Sequence, residues 1–144
     1  MSILCLNAGS STIKSALFDD AAEREFASLV LPSDGSEDGV RRTLEQSLLE
    51  LAAKTPAEAA TIRAVGHRVV HCGGHWCAPK RIDTHVRTTI ARFEEFAPLH
   101  NHAELQAITA AQHHFPQVPH VAVFDTTFFT DLPARSTVYP LPYE

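Results

Sequence analysis

Ser2-Ile3-Leu4-Cys5-Leu6-Asn7-Ala8-Gly9-Ser10-Ser11-Thr12-Ile13-Lys14-Ser15-Ala16-Leu17-Phe18 is the stretch that decides the fold. An apolar strand over residues 2–7 runs into a bend of small and hydroxyl residues, and a second strand over 13–18 leaves it at once. Gly9 is expected to give this bend a positive φ or a close backbone approach. Asn7, Ser10, Ser11 and Thr12 offer an amide, hydroxyls and backbone N–H groups, and Lys14 adds a positive charge beside them. Such a bend can cradle a phosphate or a hydrated metal ion. It can equally be an ordinary hairpin turn, since turns favour the same residues. It is not a Walker loop, because the Gly-x-x-x-x-Gly-Lys spacing is missing and no helix follows.

Working outward, Glu25 to Leu31 reads as a third strand completing a meander, closed by the turn cluster Pro32-Ser33-Asp34-Gly35. Ser36 is placed as an N-cap, with Glu37 and Asp38 where a helix dipole favours acids. Val40, Leu44, Leu48 and Leu51 follow at helical spacing, and the helix should stop before Pro56. Ala64 to His71 reads as a buried strand ending in Gly73-Gly74. Val86, Ile90 and Phe93 mark another helix. Ala97-Pro98-Leu99-His100 reads as a loop, and Asn101 with Glu104 as a capping box opening a helix through about His114. Pro119 to Phe124 is a further apolar strand, with Asp125 at its end. Strands, helix, strand, helices, strand is an α/β layer order.

The chain has 144 residues, enough to bury a core without covalent staples. Its 12 Lys and Arg are scattered and its formal charge is −5, which argues against a nucleic-acid footprint. Three cysteines, Cys5, Cys72 and Cys77, cannot all pair within the chain. With no secretory leader and no long apolar run, the expectation is a reducing cytoplasm and no membrane span.

Two more segments concentrate chemistry. In Val65-Gly66-His67-Arg68-Val69-Val70-His71-Cys72-Gly73-Gly74, an Arg within an apolar strand is costly to bury unless an anion meets it. A bound carboxylate or phosphate would serve, and so would a structural ion pair to an internal acid. In Val121-Ala122-Val123-Phe124-Asp125-Thr126-Thr127, the carboxylate stands where open α/β sheets place ligands, unless it caps a turn. His71, Cys72, His75 and Cys77 lack a Cys-x-x-Cys knuckle and a second half-site, so zinc is disfavoured. Trp76 reads as packing and His113-His114 as solvated surface.

Taken together, Asn7-Ala8-Gly9-Ser10-Ser11-Thr12-Ile13-Lys14 and Gly66-His67-Arg68-Val69-Val70-His71 with Gly73-Gly74 resemble the two signatures of the acetokinase family. Ala97-Pro98-Leu99-His100-Asn101, Val123-Phe124-Asp125-Thr126 and Tyr139-Pro140-Leu141-Pro142-Tyr143-Glu144 match further family segments in the same order. The resemblance implies an actin/hexokinase-like (ribonuclease H-like) α/β N-terminal domain with a mixed sheet and flanking helices. It implies a kinase moving a phosphoryl group between ATP and a short-chain carboxylate such as acetate, with Mg²⁺. Asn7 would help place the metal; Ser10, Thr12 and Lys14 would lie along the nucleotide phosphates. Arg68 would contact the carboxylate or acyl phosphate, Val70 and Leu99 would line the methyl pocket, and His100 would stand beside it. Asp125 matches the position given the catalytic acid/base role. An acetate nucleophile is already ionised at neutral pH, since such acids titrate near the ~4.3 of Glu. Asp125 is therefore expected to orient Arg68 or a metal-bound water rather than to remove a proton.

The sequence departs from the family pattern at Thr12 (usually Ser), His102 (usually Pro) and Phe129 (commonly His), and the stretch before Val65 is short. The resemblance reaches only about the first third of a family member, so residues 1–144 are expected to form one wall of a cleft, with negligible turnover alone. The family dimerises mainly through its C-terminal domain, so a homodimer is implied for a full-length member. A propionate or butyrate kinase, or a non-catalytic binding module, are the alternatives.

Overall fold

The computed structural model describes residues 1–73, 76, 78–95, 98–127 and 132–137, without the side chains of Pro98, Leu99, Ala134 and Thr137. Strands β1 (Ser2–Ala8), β2 (Thr12–Asp19) and β3 (Glu25–Pro32) form the expected antiparallel meander. Helix α1 (Glu37–Lys54) follows, then the short α2 (Pro56–Ala59) and β4 (Ile62–Val69). A two-residue strand β5 (Lys80–Arg81), helices α3 (Thr84–Arg92) and α4 (Pro98–His114), strand β6 (His120–Phe124) and the short α5 (Ala134–Thr137) complete the order. The sheet order is β3-β2-β1-β4-β6-β5, with β4 parallel to both β1 and β6. This mixed sheet with flanking helices is the expected actin/hexokinase-like architecture.

Period-two alternation explains which face is covered. Leu4, Leu6 and Ala8 of β1, Ile13 and Leu17 of β2 and Val65 of β4 are buried with Val40, Leu44 and Leu51 of α1 and Ala103, Ala107 and Ala111 of α4. Each large apolar side chain so buried contributes about 1.5–3 kcal/mol. The run of alanines lets α4 lie close to the sheet, and α3 joins through Val86 and Ile90, against Val69, Ile108 and Phe124. Ser36 caps α1 by accepting from the Gly39 N–H at 3.0 Å, and the Ser15 and Ser47 hydroxyls bond to each other, joining β2 to α1 inside the core.

Several expectations change. Residues 98–100 are the first turn of α4 rather than a loop, so Asn101 lies inside the helix and is not its cap. Gly9 has neither a positive φ nor crowding: the nearest atom to an added Cβ is the Thr12 carbonyl oxygen at 3.5 Å. The bend is closed instead by the Gly9 N–H donating to that carbonyl at 2.8 Å. At Gly73, by contrast, glycine is required both by its φ of +64° and by the Phe93 ring, 2.0 Å from any added Cβ. β4 is not buried on both faces: Val65, His67 and Val69 face the helices while Arg68 is exposed on the other side. No helix among the described residues is long and apolar enough to cross a membrane.

Candidate functional site

The face of the sheet away from α1, α3 and α4 carries a row of side chains fixed by register. Val30 pairs with Lys14, Lys14 with Asn7, and Arg68 with Val123. Arg68 joins the two halves of this row, because its Nη1 donates to Asn7 Oδ1 at 3.1 Å. Below it runs a second row, Ser28, Ala16, Cys5 and Gly66. The two rows line a groove of about 500 Å³. Lys14 and Arg68 make its upper edge positive, while burial raises the thiol pKa of Cys5 on its floor.

β1, β4 and β6 all end at this edge. Asp125 follows β6 directly and opens a 3₁₀ turn through Thr127. Its carboxylate takes the Arg68 guanidinium as a fork, with Nε donating to Oδ1 at 2.9 Å and Nη2 to Oδ2. The fork raises the Arg68 pKa further, and burial opposes it. Both side chains remain about 40% exposed, so the pair is worth little to stability and stays open to an incoming ligand. Arg68 does meet an acid, as one reading of its strand required, but at the accessible rim rather than in the core.

Three separated sequence segments thus converge through Asn7, Arg68 and Asp125, with Lys14 beside Asn7. Ser10 and Thr12 lie at the hairpin bend just beyond Asn7, Ser10 exposed and Thr12 half-buried. Val70 follows β4, half-buried. His100 lies in the first turn of α4, its Nδ1 enclosed with no hydrogen-bond partner among the described residues. The Leu99 side chain and residues Gly74, His75, Cys77, Ala97, Phe129 and 139–144 lie outside the described residues. No group of three or more His, Cys, Asp or Glu that could hold a metal occurs among the described residues. His71 Nδ1 accepts from the Gly73 N–H at 2.9 Å, and Trp76 stacks on Phe124 at 5.3 Å, which supports its packing role. His102, the departure in the α4 segment, bonds Glu94 at 2.7 Å.

Sequence reasoning missed the role of Glu104. Its two carboxylate oxygens do not close a capping box; they accept from the Val70 N–H at 3.2 and 3.1 Å. Burial pushes its pKa up to about 7, against the opposing hydrogen bond from Val70 and the charge of Arg68. One turn earlier, the buried Asn101 donates through Nδ2 to the His71 and Ile90 carbonyls, each at 3.2 Å. The available signal was spacing: Asn101, Glu104, Ala107, Ile108 and Ala111 form one helical stripe, and two polar groups on such a stripe need partners.

The family model described as "Acetokinase family" matches residues 29–144. An acetate kinase from Shewanella oneidensis is 37% identical over 162 aligned residues, covering 99% of this chain and 41% of that protein. A solved propionate kinase from Francisella tularensis is similar at TM-score 0.74 and 31% identity, covering 99% of this chain and 41% of that one. A Porphyromonas gingivalis acetate kinase structure gives TM-score 0.76 at 25% identity, with the same coverage. The chain therefore spans about two fifths of the length of the relatives it matches.

Proposed function

Because this chain belongs to the acetokinase family, we propose that residues 1–144 form the N-terminal wall of an acetate kinase site, in which ATP phosphorylates acetate to acetyl phosphate, reversibly. The observation that carries this reading is the convergence of Asn7, Arg68 and Asp125 at the ends of neighbouring strands, beside Lys14. Phosphoryl transfer asks mainly for positioning and charge stabilisation. With its Nε–Nη2 edge on Asp125, Arg68 presents the second N–H groups of Nη1 and Nη2 to a carboxylate or acyl phosphate. Asp125 and Asn7 hold that fork from two sides and set its plane. Lys14 supplies a second positive charge, and Ser10 and Thr12 supply hydroxyls along the phosphates. Val70 and Leu99 line the methyl pocket, and His100 stands beside it.

Mg²⁺ keeps several waters and takes few protein ligands when phosphates are present. The donors here fit that habit: the neighbouring hydroxyls of Ser10 and Thr12, with Asn7 Oδ1, which would have to share or release the Arg68 Nη1–H it now accepts. Bound there with ATP, the ion would neutralise phosphate charge. Asp125 is engaged by Arg68 and acts in this reading as the residue that aims the guanidinium. Acetate needs no base, since it is ionised at neutral pH. One methylene in an apolar pocket discriminates by only about 1–3 kcal/mol, so propionate is a competing substrate of the same site. The site of action is proposed to be the cytoplasm.

The test is a chemical-shift map of the labelled chain with acetyl phosphate, and separately with MgATP. The reading expects perturbations at Asn7, Ser10 to Lys14, Arg68 and Asp125. Shifts confined to other surfaces, or none, would contradict it.

A further inference from the structure

Among the described residues, strand pairing stops before the exit of β4. Pairing with β1 ends at His67 and pairing with β6 ends at Val69. The next two residues, Val70 and His71, are held from α4 instead: Glu104 accepts from the Val70 N–H, and Asn101 donates to the His71 carbonyl. Arg68 stands two residues before this clamp. A carboxylate only 2% exposed is an expensive choice for accepting one backbone hydrogen bond, since an amide would serve.

We infer that Glu104 is a positioning residue for Arg68: its carboxyl replaces the missing strand partner at Val70 and fixes the β4 exit from which Arg68 reaches Asn7 and Asp125. It rests on the proposed function only in taking Arg68 as the anion contact. Glu104 also sets the charge behind the site. Ionised, it makes the trio with Arg68 and Asp125 net negative, which opposes an arriving anion. Protonated, it leaves the trio neutral. An anion that settles on Arg68 therefore draws a proton from solvent onto Glu104.

Among the described residues, the titratable and charged groups around Glu104 are few in kind. Arg68 on β4 favours its ionised form and Asp125 beyond β6 disfavours it. His67 and His120, on the helix-facing side of β4 and β6, are bonded to each other at 3.0 Å, and burial lowers the pKa of both. From α3, Arg87 is taken by Gln112 and Thr109, His85 lies edge-on to Trp76, and Arg92 is exposed. From α1, Arg41 is taken by Asp38 and Glu45. β1 brings Cys5, on the opposite face. His71, at the β4 exit, packs on Phe93, and α4 itself carries His100, and His102 bonded to Glu94.

The test is an NMR titration of the chain from pH 5 to 9, reading the Glu104 side-chain carboxyl carbon, the Val70 amide and the Arg68 Nε–H signal. Expected is one shared midpoint near neutrality for all three, moved upward by sulfate, a phosphate-like anion that does not itself titrate in this range. Glu104→Gln, which keeps an acceptor for Val70, should retain the protected Arg68 Nε–H signal and lose the titration. Glu104→Leu should lose both. A carboxyl midpoint in the ordinary Glu range would overturn the inference; so would Val70 and Arg68 signals that ignore that midpoint, or a titration that persists in Glu104→Gln. The wild-type carboxyl reading decides the matter even where a variant fails to fold. Sulfate that disturbs Arg68 without moving the midpoint overturns the proton uptake. Sulfate that leaves Arg68 untouched counts against Arg68 as the anion contact, and the unliganded titration still decides the positioning role.

Discussion

Two buried groups give this fold opposite responses to acid, and substituting either one should expose the other. His67 is 3% exposed and burial pushes its pKa down to about 3 from 6.5. Its lowered value means that the unfolded chain takes up the proton first, so stability present above pH 6.5 is lost as pH falls. Glu104 runs the other way: its pKa is pushed up to about 7 from 4.5, so its contribution is full below pH 4.5 and is lost as pH rises through 7. With each pKa unit worth about 1.36 kcal/mol, acidification from pH 7 to 5 costs about 2 kcal/mol through His67 and returns about 2 kcal/mol through Glu104. These two contributions cancel in the wild type. Glu104→Gln should therefore lose about 2 kcal/mol more than wild type over that interval, and His67→Gln should lose about 2 kcal/mol less. The lowered pKa of His120 acts in the wild type and in Glu104→Gln alike and drops out of that difference, whereas His67→Gln also removes the hydrogen-bond partner of His120. Urea unfolding followed by the single Trp76, at pH 7 and pH 5, measures both. Variants whose pH dependence parallels the wild type to within about 0.5 kcal/mol would refute the linkage reasoning.

The remaining predictions follow from single contacts. Gly73→Ala should destabilise the chain by about 2–4 kcal/mol in urea unfolding, because it combines a left-handed φ with a clash against the Phe93 ring. Asn101→Ala should cost about 1–3 kcal/mol in the same assay, since it removes two hydrogen bonds, to the His71 and Ile90 carbonyls, from a buried side chain. Asp125→Asn keeps the shape of the fork but not its charge. In a full-length acetokinase with this site it should remove most of kcat without flattening the pH profile, and a change confined to one limb of that profile would restore a base role to Asp125. The purified 144-residue chain is expected to form negligible acetyl phosphate from ATP, acetate and Mg²⁺, measured by hydroxamate trapping.

The meander and α1 were legible because their signals are local. Alternation in Ser2–Ala8 and Thr12–Asp19, a Ser36 cap and Leu spacing in α1 each specify one structure without help from elsewhere. Asn7, Arg68 and Asp125 were legible as candidates because a charge or amide at the end of an apolar strand is conspicuous. Their mutual contact was not, since it depends on strands 61 and 57 residues apart in sequence becoming neighbours. Glu104 was misread for a related reason. The spacing Asn101-x-x-Glu104 fits a capping box, but Pro98 starts the helix earlier and the free Val70 N–H competes successfully for the carboxylate. Gly9 was overvalued because hairpin chemistry favours glycine, and here the bend closes with ordinary backbone angles.

The central claim is that the Arg68 fork, aimed by Asp125 and Asn7, receives an acyl phosphate. The most direct measurement is the acetyl phosphate dissociation constant of the wild-type chain against Arg68→Lys, which keeps the charge and removes the fork. Bidentate, charge-assisted hydrogen bonds are worth about 1.5–3 kcal/mol, so the account predicts roughly 10- to 100-fold weaker binding in Arg68→Lys. Equal affinity in the two chains would contradict it.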